Sequence, residues 1–373
     1  MSKAGVYLHI PFCRSRCSYC DFATDVYKSG EAVERYVSAL AKEIENFSQK
    51  ETIDTIYFGG GTPSLLIPKQ LEKILDSVYK KFSVDENSEI TMEMNPATVT
   101  PETLQAYKNL GVNRASFGAQ TFDDTELKRL GRKHTAQDVR ETVELLRNAD
   151  FDNVSFDLIA GLPRQTLKNW ECNLNEALKL KPEHLSLYLL EIHEATPLAE
   201  QIRSGRQPLP DEDLAAEMYQ LMLEKVSTEG FRQYEISNFS LPNFESRHNS
   251  KYWTLDVVFG FGCSAHSFDG EKQRWANERD TLRYIELIEK QNSAIVEQVE
   301  ISPKSEYLFL GLRLTKGVDI HAYEKRFETN LAEEHGKELQ YLKEAGLIEF
   351  DEKFLKLTPK GFLFSNEVFT IFV

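Results

Sequence analysis

Residues 6–22 read VYLHIPFCRSRCSYCDF. Val6 to Phe12 is apolar, rich in β-branched and aromatic residues, and ends near a proline, which predicts a buried strand. Three cysteines follow, Cys13, Cys17 and Cys20, spaced CxxxCxxC. They fall in the loop after the strand's C-terminal end, where parallel α/β architectures build active sites. An odd set of three thiols cannot pair off completely, so a metal suits them better than disulfides. Iron–sulfur clusters are held by cysteine thiolates, and a loop with such short spacings can wrap one. Four irons held by three cysteines leave one iron open for another ligand. On spacing alone, a zinc knuckle that borrows a histidine and a set of reduced structural cysteines stay open beside the cluster.

Outward from this stretch, strand and helix patterns alternate. Residues 31–47 carry Val33, Tyr36, Val37, Leu40, Ile44 and Phe47 at helical spacing. Strands are predicted over 54–58, 90–94, 114–119, 154–160 and 184–192. Helices are predicted over 68–82, from Pro101, up to about Arg147, and over 166–179. Thr100 is the N-cap of the helix that Pro101 opens, with Thr103 in the capping-box slot. Six strand–helix alternations imply a parallel sheet with helices outside. The pattern alone does not separate an open doubly wound sheet from a partial barrel. Residues 204–210 hold Gly205, Pro208 and Pro210, and mark a change of composition before an apolar helix over 214–226. Residues 234–275 read as aromatic-rich and irregular, and a helix over 281–290 closes this region. Residues 301–373 look separate: an apolar run over 307–314, a helix over 331–345, a hairpin over 346–357 turning at Asp351-Glu352, and a last helix after Thr358.

The chain has 373 residues, 41% hydrophobic and 28% charged, with a formal net charge of −15. That describes an ordinary water-soluble protein with room for more than one domain. It carries no run of transmembrane length and no apolar leader before the first strand, so the cytoplasm is the expected compartment. Five cysteines without an even framework fit a reducing compartment. The acidic balance argues against a general nucleic-acid surface.

Several further residues could carry chemistry. Gly59-Gly60-Gly61-Thr62-Pro63 ends the second strand; glycines there allow close backbone approach to a ligand, and equally serve a tight turn. Glu93 ends the third strand, Gln120 the fourth, and Asp157 lies within the fifth. Polar groups in apolar strands are costly to bury unpaired, so they are expected at the mouth of a barrel. His248-Asn249-Ser250-Lys251-Tyr252-Trp253 joins an imidazole to two flat aromatic rings, the elements a haem site needs; a hydrogen-bonded surface loop is the plainer reading. Gly260 to Ala265 mimics a dinucleotide fingerprint, but no helical pattern follows it. Cys263 and His266 are candidate extra haem ligands, Cys172 reads as core packing, and His9 as a hydrogen-bonding barrel residue.

The cysteine motif behind an apolar strand, with Tyr19 just before Cys20, resembles the radical S-adenosylmethionine (SAM) superfamily. The wording YLHIPFC and CSYCDF is similar to the group that holds oxygen-independent coproporphyrinogen III dehydrogenases and haem chaperones. The resemblance implies a partial (β/α)6 barrel over 1–203, a connecting region over 204–300 and a C-terminal winged-helix-like domain over 301–373. It implies a [4Fe–4S] cluster on Cys13, Cys17 and Cys20 and SAM on the open iron. SAM's amino group would meet the Gly60, Gly61 and Thr62 segment, its ribose Glu93, and Tyr7 would lie nearby. Gln120, Arg132 and Asp157 match residues around a second SAM in the dehydrogenase.

The HNxxYW pattern resembles the haem-chaperone side of the group and makes His248 the candidate haem-binding residue. Two departures from the dehydrogenase agree: Phe22 stands where a fourth cysteine would be, and the enzyme's extension before strand one is missing. The resemblance implies haem as cargo, acceptor haem proteins at the respiratory membrane, an electron donor, and no nucleic acid. The alternative is radical decarboxylation of two coproporphyrinogen propionates.

Overall fold

The computed structural model describes residues 3–26 and 29–372. Six strands succeed one another in chain order, each parallel to the next. They are β1 (Ala4–Ile10), β2 (Thr52–Gly60), β3 (Ser83–Met94), β4 (Arg114–Gln120), β5 (Val154–Ala160) and β6 (His184–Leu189). Helices Gly30–Asn46, Pro68–Lys81, Pro101–Asn109, Ala136–Asn148 and Leu167–Lys179 lie in the connections. This is the partial (β/α)6 barrel. The Thr100 cap forms as read: its hydroxyl accepts from Thr103 N at 3.3 Å, and Thr103 Oγ1 accepts from Thr100 N at 2.9 Å.

Side chains alternate across a strand, and here the two faces differ in kind. Val6, Leu8 and Ile10, then Ile90, Met92 and Met94, then Val154, Phe156 and Leu158 belong to the main apolar core under the helices. The alternate positions are polar or aromatic: Tyr7 and His9, Thr55 and Tyr57, Thr91 and Glu93, Arg114 and Ser116, Ser155 and Asp157. They meet on the lumen side of neighbouring strands, as in the Tyr57 hydroxyl bond to Glu93 Oε1 at 2.7 Å. The lumen is therefore a polar chamber rather than an apolar filling.

Residues 204–300 extend the same sheet at both edges. β7 (Arg232–Gln233) and β8 (Asn238–Ser240) add antiparallel strands beyond β6. β9 (Val258–Phe261) pairs parallel with the free side of β1, followed by antiparallel β10 (His266–Phe268), β11 (Gln273–Asn277) and β12 (Ile295–Glu300). The order is β12-β11-β10-β9-β1-β2-β3-β4-β5-β6-β8-β7. Residues 234–275 are thus ordered sheet and helix, not irregular chain; strands of two to five residues are too short to show a period. The sixth strand stops at Leu189, short of the expected Ile192. Cys172 is exposed on its helix rather than packed in the core.

The C-terminal part has its own core, including Leu308, Tyr323, Leu339, Leu355 and Val368. Three strands, β13 (Val318–Asp319), β14 (Ile348–Phe350) and β15 (Phe354–Leu357), form a sheet in the order β13-β15-β14. The hairpin turns where the sequence places it: Asp351 Oδ1 accepts from Lys353 N and Phe354 N at 2.7 and 2.9 Å. Among the described residues no helix is long and apolar enough to cross a membrane.

Phe259 tests the added strand. It is fully buried and its ring lies 4.9 Å from Phe47 and 6.0 Å from Phe82. Phe259→Ala should cost about 3–5 kcal/mol by urea denaturation; a loss below about 1 kcal/mol would contradict the packing.

Candidate cluster and S-adenosylmethionine site

The ends of β1 and β2 are pressed together. A Cβ on Gly60 would lie 2.5 Å from the His9 ring, and one on Gly61 would lie 2.8 Å from the backbone of Pro11 and Phe12. Gly60 also has φ of +109°, a conformation that favours glycine. Gly61 N donates to Ile10 O and Thr62 N to Phe12 O, both at 2.8 Å. The glycines thus serve strand contact as well as any ligand. The segment they form is docked on the first turn of the cysteine loop.

The loop itself is held from several sides. Ser18 N donates to Leu130 O at 2.9 Å, and Leu198 N donates to Ser18 O at 2.8 Å. Tyr19 packs against the small cluster of Leu130, Ile159 and Leu162. Cys13, Cys17 and Cys20 are unpaired and half-buried. Burial pushes the Cys13 thiol up to about 11, offset by the Thr62 hydroxyl and reinforced by Cys20 and Cys17; burial raises Cys20 as well. Without metal these two thiols hold their protons at neutral pH, so binding iron releases protons.

A chain of side chains joins two of the thiols. Thr62 Oγ1 donates to Cys13 Sγ at 3.6 Å and accepts from Asn95 Nδ2 at 2.7 Å. Asn95 Oδ1 accepts from Arg132 Nη2 at 2.8 Å, and Arg132 Nη1 donates to Cys17 Sγ at 3.6 Å. Burial works against the Arg132 charge, but Tyr19, Cys17 and Cys13 facing it outweigh that and raise its pKa. A guanidinium beside a thiolate stabilises it. Asn95, directly after β3 and before Pro96, is not among the candidates that the sequence offers.

Glu93 lies beside the glycines. Its Oε1 accepts from Tyr57 and its Oε2 from Gly60 N, at 2.7 and 3.1 Å. Burial raises it to about 7, with Asp157 adding to the shift. Burial raises Asp157 too, against a Ser186 hydrogen bond. Gln120 has φ of +66° at the end of β4, and Ala97 and Arg164 take similar angles just past β3 and β5. Non-glycine residues rarely adopt that region, but Asp150 and Lys181 take it just before β5 and β6 as well, so it does not single out the mouth. Glu93, Gln120 and Arg132 stand with the cysteines at the C-terminal mouth, Tyr7 and Asp157 within the lumen.

His248 lies elsewhere. It sits in the short helix Arg247–Trp253 and is buried against the N-terminal ends of the strands, beside Gly5 and Thr55. Nδ1 is 2.9 Å from Thr55 Oγ1 and Nε2 is 3.1 Å from the Tyr252 hydroxyl. The ring stacks on Tyr57 at 5.1 Å. Burial, with Lys251 and Arg114, lowers it to about 3. His248 is therefore a neutral plug at the closed end of the barrel, not a surface-loop residue. His184 plugs the same end between Ser155 Oγ and the Tyr234 hydroxyl, at 2.7 and 2.8 Å. His9 bridges the Tyr7 hydroxyl and Ala23 O at 3.0 and 2.8 Å, the hydrogen-bonding role its position suggests. Cys263 is buried against the Tyr36 hydroxyl and Thr281, while His266 is exposed.

The donor set suits a cluster. Three half-buried thiols share one loop, with an arginine on Cys17 and a hydroxyl on Cys13. Among the described residues no three His, Cys, Asp or Glu side chains converge on a single ion. A cluster does not require that, since each thiolate binds a different iron.

The fold and this mouth define a radical SAM barrel, and comparison with known proteins agrees. Residues 7–174 match the radical SAM superfamily and 304–364 the HemN C-terminal domain. Heme chaperone HemW of Bacillus subtilis is 38% identical over 99% of both chains. Heme chaperone HemW of Lactococcus lactis is 36% identical over 99% of this chain and 97% of its own. Among solved structures, the coproporphyrinogen III oxidase HemN of Escherichia coli superposes with a TM-score of 0.86. It covers 99% of this chain and 90% of that one at 21% identity, a likeness of fold. The chain belongs to the radical SAM superfamily and, within it, to the HemW family. That membership implies a [4Fe–4S] cluster and SAM.

Acid should probe the plug. The folded pKa of His248, about 3, lies below its ordinary 6.5. Its contribution to stability is present above pH 6.5 and is lost as pH falls towards 3, because the unfolded chain binds the proton more readily. Glu93 acts oppositely: raised from 4.5 to about 7, its contribution is lost as pH rises through 7. His248→Asn should lose less stability than the parent between pH 6.5 and 4 by denaturant titration. Equal slopes would mean that His248 is not a buried neutral ring.

Proposed function

We propose that the protein is a haem chaperone of the radical SAM type: it binds a [4Fe–4S] cluster, SAM and haem, and delivers haem to acceptor haem proteins. The observation that carries this reading is the near-full-length similarity to relatives that bear that name. The cluster sits on Cys13, Cys17 and Cys20. SAM meets Tyr7, Gly60, Gly61, Thr62 and Glu93, with Tyr19 packed behind the cysteines. Gln120, Arg132 and Asp157 are the candidates for a second SAM. When bound, the cluster and SAM supply one-electron chemistry; these side chains hold and shield them. An electron donor would serve the cluster, and the acceptor would lie at the respiratory membrane. We divide the chain at 203 and 300, with the middle part completing the barrel's edges.

The dehydrogenase reading is supported only weakly, by the likeness of fold to HemN. Phe22 takes the place of that enzyme's fourth cysteine, and its side chain faces solvent.

Haem is assigned to the His248–Trp253 segment. A neutral imidazole is the form that ligates iron, and burial keeps His248 neutral. Tyr252 and Trp253 supply flat surfaces beside it. In the closed arrangement Nε2 faces the Tyr252 hydroxyl, so ligation requires this short helix to move off the strand ends. In an anaerobic haemin titration, His248→Ala should lose or alter the saturating Soret shift. Tyr252→Phe, which frees Nε2, should bind haemin more tightly than the parent. Unchanged binding in His248→Ala would remove the haem assignment from this segment.

A further inference from the structure

A cavity of about 270 Å³ lies on the helix-covered side of the sheet, behind β9 and β11 and away from the lumen. Phe47, Phe261 and Trp275 form its walls, and Glu43, Asn46 and Asn292 supply polar groups. Phe47 meets Phe261 edge-on at 5.1 Å and lies 6.4 Å from Trp275. No lysine or arginine lines it.

The electrostatics have one sign. The seventeen-residue helix Gly30–Asn46 ends at the cavity, with no basic residue in its last turn. The carboxyl end of a helix carries partial negative charge and favours cations. The nearby Lys42 is engaged elsewhere: Nζ donates to the carbonyls of Ile288 and Glu289 at 3.0 and 3.1 Å, at the end of the helix Thr281–Gln291. Glu43 contributes a carboxyl held by Gly262 N, the Tyr284 hydroxyl and Asn277 Nδ2, at 2.9, 2.6 and 2.6 Å. The other titratable groups around it, Tyr36 on its own helix, Tyr284 and Cys263, are all pushed upward by burial and stay neutral near pH 7.

We propose that this cavity is a binding site for a small organic ammonium ion. Aromatic faces attract such cations most where water is excluded. Here three aromatic residues, Glu43 and an uncompensated helix end line one half-open cavity sized for a few carbon atoms. An inorganic cation would leave the rings idle, and a neutral ligand would leave the charge idle. The protein's net charge of −15 also concentrates cations around it. Glu43 links the cavity to the barrel, since the Gly262 amide it holds abuts the His9 carbonyl; a Cβ on Gly262 would lie 2.7 Å from that oxygen.

The probe is tetramethylammonium chloride, titrated into the full chain carrying ¹⁵N-labelled tryptophan, with sodium chloride and tert-butanol as matched controls. The Trp275 indole signal, identified by its absence in Trp275→Phe, should shift saturably with the ammonium ion alone. Glu43→Gln should weaken the affinity at least about tenfold, equivalent to about 1.4 kcal/mol. Because burial holds Glu43 at about 7, the unsubstituted protein should bind more tightly at pH 8 than at pH 6. This pH comparison decides the matter if Glu43→Gln does not fold. An equal response to tert-butanol, or no saturable shift at pH 8, would overturn the proposal.

Discussion

The close approach of β1 and β2 is the constraint on which the rest depends. Gly60 and Gly61 lie where any side chain would strike His9 or the Pro11–Phe12 backbone. That approach docks the Thr62 segment onto the start of the cysteine loop through Phe12 O. From Thr62 the contact continues through Asn95 and Arg132 to Cys17. Two cysteines four residues apart are thus tied to the ends of three strands. Packing, rather than the loop's own conformation, fixes where a cluster would sit.

The second organising fact is the division of each strand into an apolar outer face and a polar inner one. The outer face supplies the burial that holds the sheet under its helices. The inner face is satisfied internally in part, by Tyr57 on Glu93, His184 between Ser155 and Tyr234, and His248 between Thr55 and Tyr252, while Thr91 Oγ1 and Arg114 Nε have no partner. The two imidazoles close one end of the chamber, and the cysteines stand at the other. The short helix of the HNxxYW segment also reaches the C-terminal part, where Arg313 lies 4.2 Å from the Trp253 ring. It therefore touches both the barrel floor and the C-terminal part.

Much of this was legible in the sequence. β1 to β6 are legible because amphipathic helices separate them, and β1 to β5 each end at or beside a glycine, proline or polar residue. The Thr100 cap and the Asp351 turn were readable because their signals are local. β8 to β11 are not legible, because each is three to five residues long and β8 and β9 pair with distant chain. The cysteine loop was recognisable from its spacing, and Glu93 and Asp157 from the oddity of carboxylates in strands. Asn95 and Tyr57 were missed, although strict alternation along β2 and β3 puts them on the inner side. His248 was noticed for its company of aromatics, but its burial depends on Gly5 and Thr55, more than 190 positions away in the chain, and no local pattern carries that.

The central claim is that the three cysteines leave one iron open and that SAM takes it. Electron paramagnetic resonance of the reduced, cluster-reconstituted protein, recorded anaerobically with and without SAM, tests this most directly. The account predicts that SAM shifts the signal of the cluster, because a ligand on one iron alters its electronic environment. Identical spectra at saturating SAM would contradict it.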